Sequence, residues 1–146
     1  MNYKNPNSVL VVIYAQNSGN VLMLQRKDDP EFWQSVTGSL EPNEQPFETA
    51  IREVKEEIGI DILAEKLTLT DCNESVEFEI FPHFRYKYAP DVTHCSEHWF
   101  LLALTQEQQQ PILSEHLAFK WVSVEEAIRL TKSPNNAAAI AKYLKK

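Results

Sequence analysis

Residues 38–60 read GSLEPNEQPFETAIREVKEEIGI, and within them Arg52-Glu53-Val54-Lys55-Glu56-Glu57 packs five charges into six positions. Pro46 suits the first turn of a helix and Gly59 suits its end. Between them Phe47, Ala50, Ile51, Val54 and Ile58 recur at helical spacing. At about 100° per residue these side chains share a stripe roughly 100° wide. Glu53, Glu56 and Glu57 gather in another arc of about 100°, roughly opposite.

A charge-rich helix face is usually a solvated surface. Glu48–Arg52 and Arg52–Glu56 fit that reading, as opposite charges at i,i+4 contribute ~0.3 kcal/mol each. Glu53 and Glu57 do not, because like charges at that spacing repel. Glu57 also lies near the helix C-terminus, where the macrodipole disfavours an anion. A hard divalent cation explains the gathering: Mg²⁺ takes oxygen ligands, commonly a few carboxylates together with substrate phosphates and water.

Outward from this helix, Val9–Tyr14 and Val21–Gln25 are β-branched and apolar runs separated by Gln16-Asn17-Ser18-Gly19-Asn20, a spacing that fits a hairpin. Lys27-Asp28-Asp29-Pro30 breaks the pattern, and Phe32–Gly38 leads into the charged segment. Ile60–Leu69, Ser75–Phe81, Phe84–Tyr88 and His98–Leu104 read as strands, with the clearest alternation in Val76-Glu77-Phe78-Glu79-Ile80. Lys120-Trp121-Val122 is a short strand. Ser123-Val124-Glu125-Glu126 has the spacing of a capping box and opens a helix toward Leu130. Ser133-Pro134 caps a last helix running to Leu144. Strands, a helix, more strands and then helices imply a mixed sheet sandwiched between helices, an α/β or α+β fold.

The 146 residues, 43% apolar and 24% charged, suit one soluble domain over 1–146 with a core of its own. A net charge of −7 argues against gripping a nucleic-acid polymer. It permits a small polyanionic substrate if a metal or a local Lys/Arg cluster mediates. Cys72 and Cys95 are too few for a disulfide framework and suit a reducing, cytoplasmic setting. Val9–Ala15 follows a lysine, but it is short, lacks an A-x-A-like cleavage site and reads better as a buried strand than as an export signal. No apolar stretch is long enough to span a bilayer, so no membrane partner is expected. No oligomeric state follows from these features.

Gly38, five residues, Glu44, seven residues and then Arg52-Glu53-Val54-Lys55-Glu56-Glu57-Ile58-Gly59-Ile60 resembles the Nudix box of the Nudix hydrolases at every defined position, over 23 residues. The resemblance implies a Nudix-type fold and a Mg²⁺-dependent pyrophosphohydrolase, with Mn²⁺ as a substitute. Glu53 and Glu57 would be the main metal ligands, and Glu56 a further ligand or proton acceptor. The Gly38 carbonyl would reach the metal, and Arg52 and Glu44 would fix the loop against the helix. Glu115, in Ser114-Glu115-His116-Leu117-Ala118-Phe119-Lys120-Trp121-Val122, resembles the loop acid that many members place against the metal. It is a candidate catalytic residue and metal ligand.

Several phrases, among them Val21–Arg26, Phe32–Ser39, Val76–Phe81 and Glu115–Trp121, resemble the bacterial dihydroneopterin triphosphate pyrophosphatases within that family. This resemblance implies hydrolysis of dihydroneopterin triphosphate to the monophosphate and pyrophosphate, in folate synthesis, with side activity on nucleoside triphosphates. A pterin needs an apolar slot with a hydrogen-bonding rim. In a strand, Glu79 and Phe81 share one face, so the carboxylate of one could accept from the ring's N–H edge while the other stacks. Phe78 and Ile80 face the core, or offer backbone groups at an edge. Arg26 is the best triphosphate donor. Thr37, Lys4 and Ser133 are further candidates, the last at a helix N-terminus. His94-Cys95-Ser96-Glu97-His98 has no second ligand pair at zinc-finger spacing and is set aside. One rival is a nucleotide-pool enzyme acting on dATP or an oxidised purine nucleotide. Another is a non-catalytic ligand sensor, against which the full acid cluster speaks.

Overall fold

The computed structural model of the chain describes residues 2–145. Strand β1 (Asn7–Ala15) organises it. Val9, Leu10, Val11, Val12 and Ile13 are all buried, so this strand is covered on both faces, which is why it reads as a continuous apolar run. Along one edge β1 pairs in parallel with β6 (His94–Leu104), Asn7 opposite Ser96 through Ala15 opposite Leu104.

Its other edge is divided. β4 (Val36–Ser39) takes the first half in antiparallel register, Ser8 opposite Ser39 through Val11 opposite Val36. The expected hairpin with β2 (Val21–Arg26) is closed at one register pair only, Tyr14 with Val21. Beyond it β2 swings away to pair antiparallel with β7 (His116–Val122) and with the two-residue β3 (Trp33–Gln34). The sheet therefore branches at β1. β5 (Thr68–Glu79) completes it on the far side of β6.

Helices cover both faces. Val9, Val11 and Ile13 pack with Ala50, Val54 and Ile58 of α1 (Pro46–Ile58). Leu10 and Val12 pack with Ala127 of α2 (Val124–Leu130) and Ala139 and Ile140 of α3 (Pro134–Leu144). Helix α1 has the expected limits: Pro46 is in the first turn, the Glu48 carboxylate accepts from the Gln45 backbone N–H at 2.9 Å, and Gly59 caps the end. Val54 and Ile58 are fully buried, about 1.5–3 kcal/mol each. Phe47 departs from the stripe, 42% exposed with only its edge toward Phe100. The Ser123 and Ser133 hydroxyls accept from the N–H groups of Glu126 and Asn136, as their caps require.

Two expected strands are not strands. Ile60–Leu69 begins as a turn. Gly59 is left-handed (φ 77), the Asp61 carboxylate accepts from Ala64 N–H at 3.0 Å, and Lys66 has φ 54, so the chain curls back and β5 starts only at Thr68. Ile60 and Ile62 are buried core residues of that turn rather than one face of a strand. Phe84–Lys87 lies in a 3-10 helix spanning Pro82–Lys87, with Tyr88 as its extended C-terminal cap, since Pro82 lacks the N–H a ladder needs. Within this helix Phe84 is buried whereas Tyr86 is 72% exposed. β5 runs unbroken through Cys72–Glu74, its register shift between Asp71 and Ser75 absorbed at Asn73 (φ 53).

A Cβ at Gly59 would add left-handed strain and press on Ile112 at 3.0 Å. Gly59→Ala is expected to lower stability by about 1–2 kcal/mol, seen as a fall in denaturation midpoint with an unchanged m value.

Candidate active site

The acids of α1 meet the branch in the sheet. Glu53, Glu57 and Glu115 each offer a carboxylate oxygen, and these oxygens lie within 4.8 Å of one another. Glu57 is 1% exposed, and among the described residues neither of its oxygens has a hydrogen-bond partner. Burial pushes its pKa well above the ordinary carboxylate range, and repulsion from Glu53 and Glu115 adds to this. Glu53 is raised for the same first reason, with Arg52 opposing and Glu56 and Glu115 reinforcing. Glu115 is delivered by an anchored loop: the Ser114 hydroxyl donates to the Glu56 carbonyl at 2.5 Å, and Lys27 donates to the Ser114 carbonyl at 3.1 Å.

Arg52 holds the surroundings in place. Its Nε and Nη2 donate to the two oxygens of Glu44 at 2.8 and 2.9 Å, and Nη2 also donates to the Ser39 carbonyl at 3.0 Å. Nη1 reaches Glu56 at 3.1 Å. The forked pairing draws the Glu44 carboxyl down to about 2. The expected Glu48–Arg52 pair does not form, because Glu48 is engaged at the helix start with Gln45. Gly38 meets a steric demand here: a Cβ on it would run into the Glu53 carboxylate.

These residues fit a divalent cation. An oxygen-only donor set, two orphaned oxygens on a buried glutamate and mutual repulsion among the acids are what a hard dication resolves. Glu56 stands beside Glu53 on the exposed side of the cluster and lines the groove that Glu53 and Glu115 also line. His116 Nε2 is 3.7 Å from Glu57 Oε1. Burial lowers its pKa to about 4, so it stands neutral and leaves the carboxylate uncompensated.

A second hollow adjoins the acids on the α2/α3 side. Its apolar wall includes Phe78, Ile80 and Phe81 with Phe32 and Phe84. Phe32 and Phe81 meet edge to face at 5.6 Å. Ser133 and Asn136 also line it. Lys4, Arg26, Thr37 and Lys87 border both this hollow and the polar cleft reaching Glu57 and Glu115. Arg26 stacks over Phe84 at 4.2 Å and forks onto Asp28 at 2.7 Å, while Lys87 Nζ shares that carboxylate. Lys4 has no ion-pair partner among the described residues. Burial lowers its pKa, and so do Lys87 and Arg26. Two of these three cations share one aspartate and the third has no partner among the described residues, which leaves room for an anion. The Thr37 hydroxyl donates to the Val9 carbonyl at 2.9 Å, so it turns an acceptor to the hollow.

One sequence expectation fails here. Glu79 is exposed and does not line the hollow, because β5 turns it to solvent while its neighbours Phe78 and Ile80 face inward. Lys87, which the sequence reading passed over inside an expected strand, reaches the site through the 3-10 helix. Glu97, also missed, lines the wall.

A fold that sets an acidic helix against a branched mixed sheet, with cations between acids and an apolar hollow, matches a known family. The NUDIX domain model matches residues 4–144, and the chain belongs to this family. Among individual proteins, it is 62% identical to the dihydroneopterin triphosphate diphosphatase of Haemophilus influenzae over 99% of this chain and 90% of that one. It is 57% identical to the enzyme of the same name from Escherichia coli, over 97% and 94% of the two chains. The solved structure of the E. coli dihydroneopterin triphosphate pyrophosphohydrolase superposes with a TM-score of 0.96 at 56% identity, covering 99% and 98%. A Caenorhabditis elegans Ap4A hydrolase is more distant, with a TM-score of 0.72 at 26% identity over 94% and 93%.

Glu57→Gln removes a buried, unpartnered charge while keeping shape. Without divalent cations the variant is expected to melt above the wild type. The gap should widen as pH rises from about 4.5, because the raised Glu57 pKa makes the wild type bind its proton more tightly folded than unfolded. Mg²⁺ should raise the wild-type melting temperature and leave that of the variant nearly unmoved, as differential scanning fluorimetry would show.

Proposed function

We propose that the chain is a Mg²⁺-dependent pyrophosphohydrolase of dihydroneopterin triphosphate, yielding dihydroneopterin monophosphate and pyrophosphate, a step that belongs to folate synthesis. The supporting observation is continuity: Lys4, Arg26 and Lys87 border both the aromatic hollow and the cleft of Glu57 and Glu115. That order, apolar then cationic then acidic, is the order of ring, phosphates and metal in the substrate. The names of the bacterial relatives point the same way.

Water attacks one of the two phosphorus atoms flanking the bridge between the first and second phosphates, that anhydride bond breaks, and the bridging oxygen leaves with the other product. A divalent cation, when bound, neutralises phosphoryl charge and makes its bound water more acidic. Glu53, Glu57 and Glu115 would hold it, with Mn²⁺ able to replace Mg²⁺. Lys4, Arg26 and Lys87 hold the phosphates in line, and Arg52 keeps Glu53 and Glu56 in position. Glu56 and Glu115 are the exposed carboxylates of the site, and the proton of the attacking water passes to one of them. Phe32, Phe81 and Phe84 exclude water from the ring. Thr37 and Ser133 border the bound molecule, and Phe78 and Ile80 floor it. The free thiols of Cys72 and Cys95 suit a cytoplasmic setting.

The test is pyrophosphate release from dihydroneopterin triphosphate, dATP, dGTP and an oxidised dGTP, with and without Mg²⁺. A kcat/KM favouring the pterin by about tenfold or more, ~1.4 kcal/mol of discrimination, is expected. Equal or faster turnover of a nucleotide would make this a nucleotide-pool enzyme instead. Glu57→Gln should lower kcat by about 10²–10³. Lys87→Ala and Arg26→Ala should act mainly by raising KM.

A further inference from the structure

Among the aromatic and aliphatic groups of the hollow stands one buried acid. Glu97 is 5% exposed and sits in the first half of β6 on the same face as Cys95 and Trp99. Oε1 accepts from the Trp99 indole N–H at 3.2 Å, and among the described residues its carboxylate makes no other hydrogen bond that meets ordinary geometry. A carboxylate placed in apolar surroundings without a salt-bridge partner is costly and calls for a reason. Burial raises its pKa to about 7, against the Trp99 indole and the nearby Asn135 amide, which favour the charged form. Among the described residues no cation offsets the burial.

Glu97 lines the hollow together with Phe32, Phe78 and Phe81, so a flat ring entering there meets aromatic side chains and a carboxylate. The carboxylate only accepts. It matches an edge that presents two adjacent N–H donors and repels one that presents a lone pair.

We propose that Glu97 determines ring specificity by receiving the amino and lactam N–H groups that a 2-amino-4-oxo pterin shares with guanine. The inference rests on the pterin reading above and adds to it the group that reads the ring. It also gives the cost of burying Glu97 a purpose: the bound edge supplies the hydrogen bonds that the folded chain does not. Adenine presents one donor and one acceptor on the equivalent edge, which a carboxylate meets poorly and a glutamine amide meets well.

The test compares wild type, Glu97→Gln and Glu97→Asp as full chains with Mg²⁺, using kcat/KM for dihydroneopterin triphosphate, dGTP and dATP. Unphosphorylated neopterin, titrated by its fluorescence without metal, gives a binding readout independent of turnover. Glu97→Gln should lose about tenfold or more on the pterin and dGTP, with dATP held or improved, and should weaken neopterin binding in step. Glu97→Asp, which keeps the charge, should retain more of the pterin-to-dATP ratio than the glutamine variant. Thermal melting confirms that the variants are folded. Equal loss on all three substrates, or an unchanged ratio with unchanged neopterin affinity, would overturn the assignment. If wild type prefers pterin and the ratio ignores residue 97, the function stands and this inference falls. If wild type prefers a nucleotide and Glu97→Gln still lowers dGTP against dATP, the pterin function falls and the reading of Glu97 stands.

Discussion

Three carboxylates brought within 4.8 Å of one another, one of them sealed from water, repel each other in the folded chain. Their surroundings answer that repulsion with rigidity. Arg52 joins loop, strand end and helix through Glu44, Ser39 and Glu56, so relaxing the acids apart would break several bonds at once. Gly38 lets β4 come close enough to wall in Glu53. The site is thus preorganised for a cation at the expense of stability without one, a balance common where chemistry needs buried charge.

On the other side of β4 the same logic runs with opposite sign. Lys4, Arg26 and Lys87 are crowded together and only partly answered by Asp28. The two unsatisfied clusters face one cleft, so a polyphosphate bridging them relieves both. A chain of net charge −7 can still offer a polyanion a favourable site where its cations are concentrated in one cleft.

What the sequence made legible was what depends on local spacing. Pro46, Gly59 and the 3.6-residue period marked α1 to its ends, and the repulsive Glu53–Glu57 spacing pointed to a metal. Ser123 and Ser133 marked two helix starts. What escaped depended on tertiary context. β4 is four residues containing a glycine and exists because β1 offers it an edge. Ile60 and Ile62 are buried by a turn whose left-handed Lys66 carries no sequence signal. Phe84–Tyr88 has strand-like composition, but Pro82 diverts it. The sequence places a ring-binding candidate at Glu79, on an alternating strand whose polar phase faces solvent. The buried phase of β6, Cys95-x-Glu97-x-Trp99, carried the better signal: an acid where the alternation calls for an apolar residue.

The branching of the sheet at β1 has an evolutionary consequence. At β4 the acids and the hollow adjoin: Gly38 closes on the Glu53 carboxylate, and Thr37 borders both the hollow and the cleft of Glu57 and Glu115. Part of the hollow's wall comes from β5, β6 and the 3-10 helix, none of which supplies an acid of the cluster. A lineage can therefore exchange aromatic residues, or residue 97, and move to a new base while the hydrolytic centre is inherited intact. Such modularity lets one acidic helix serve descendants with different diets.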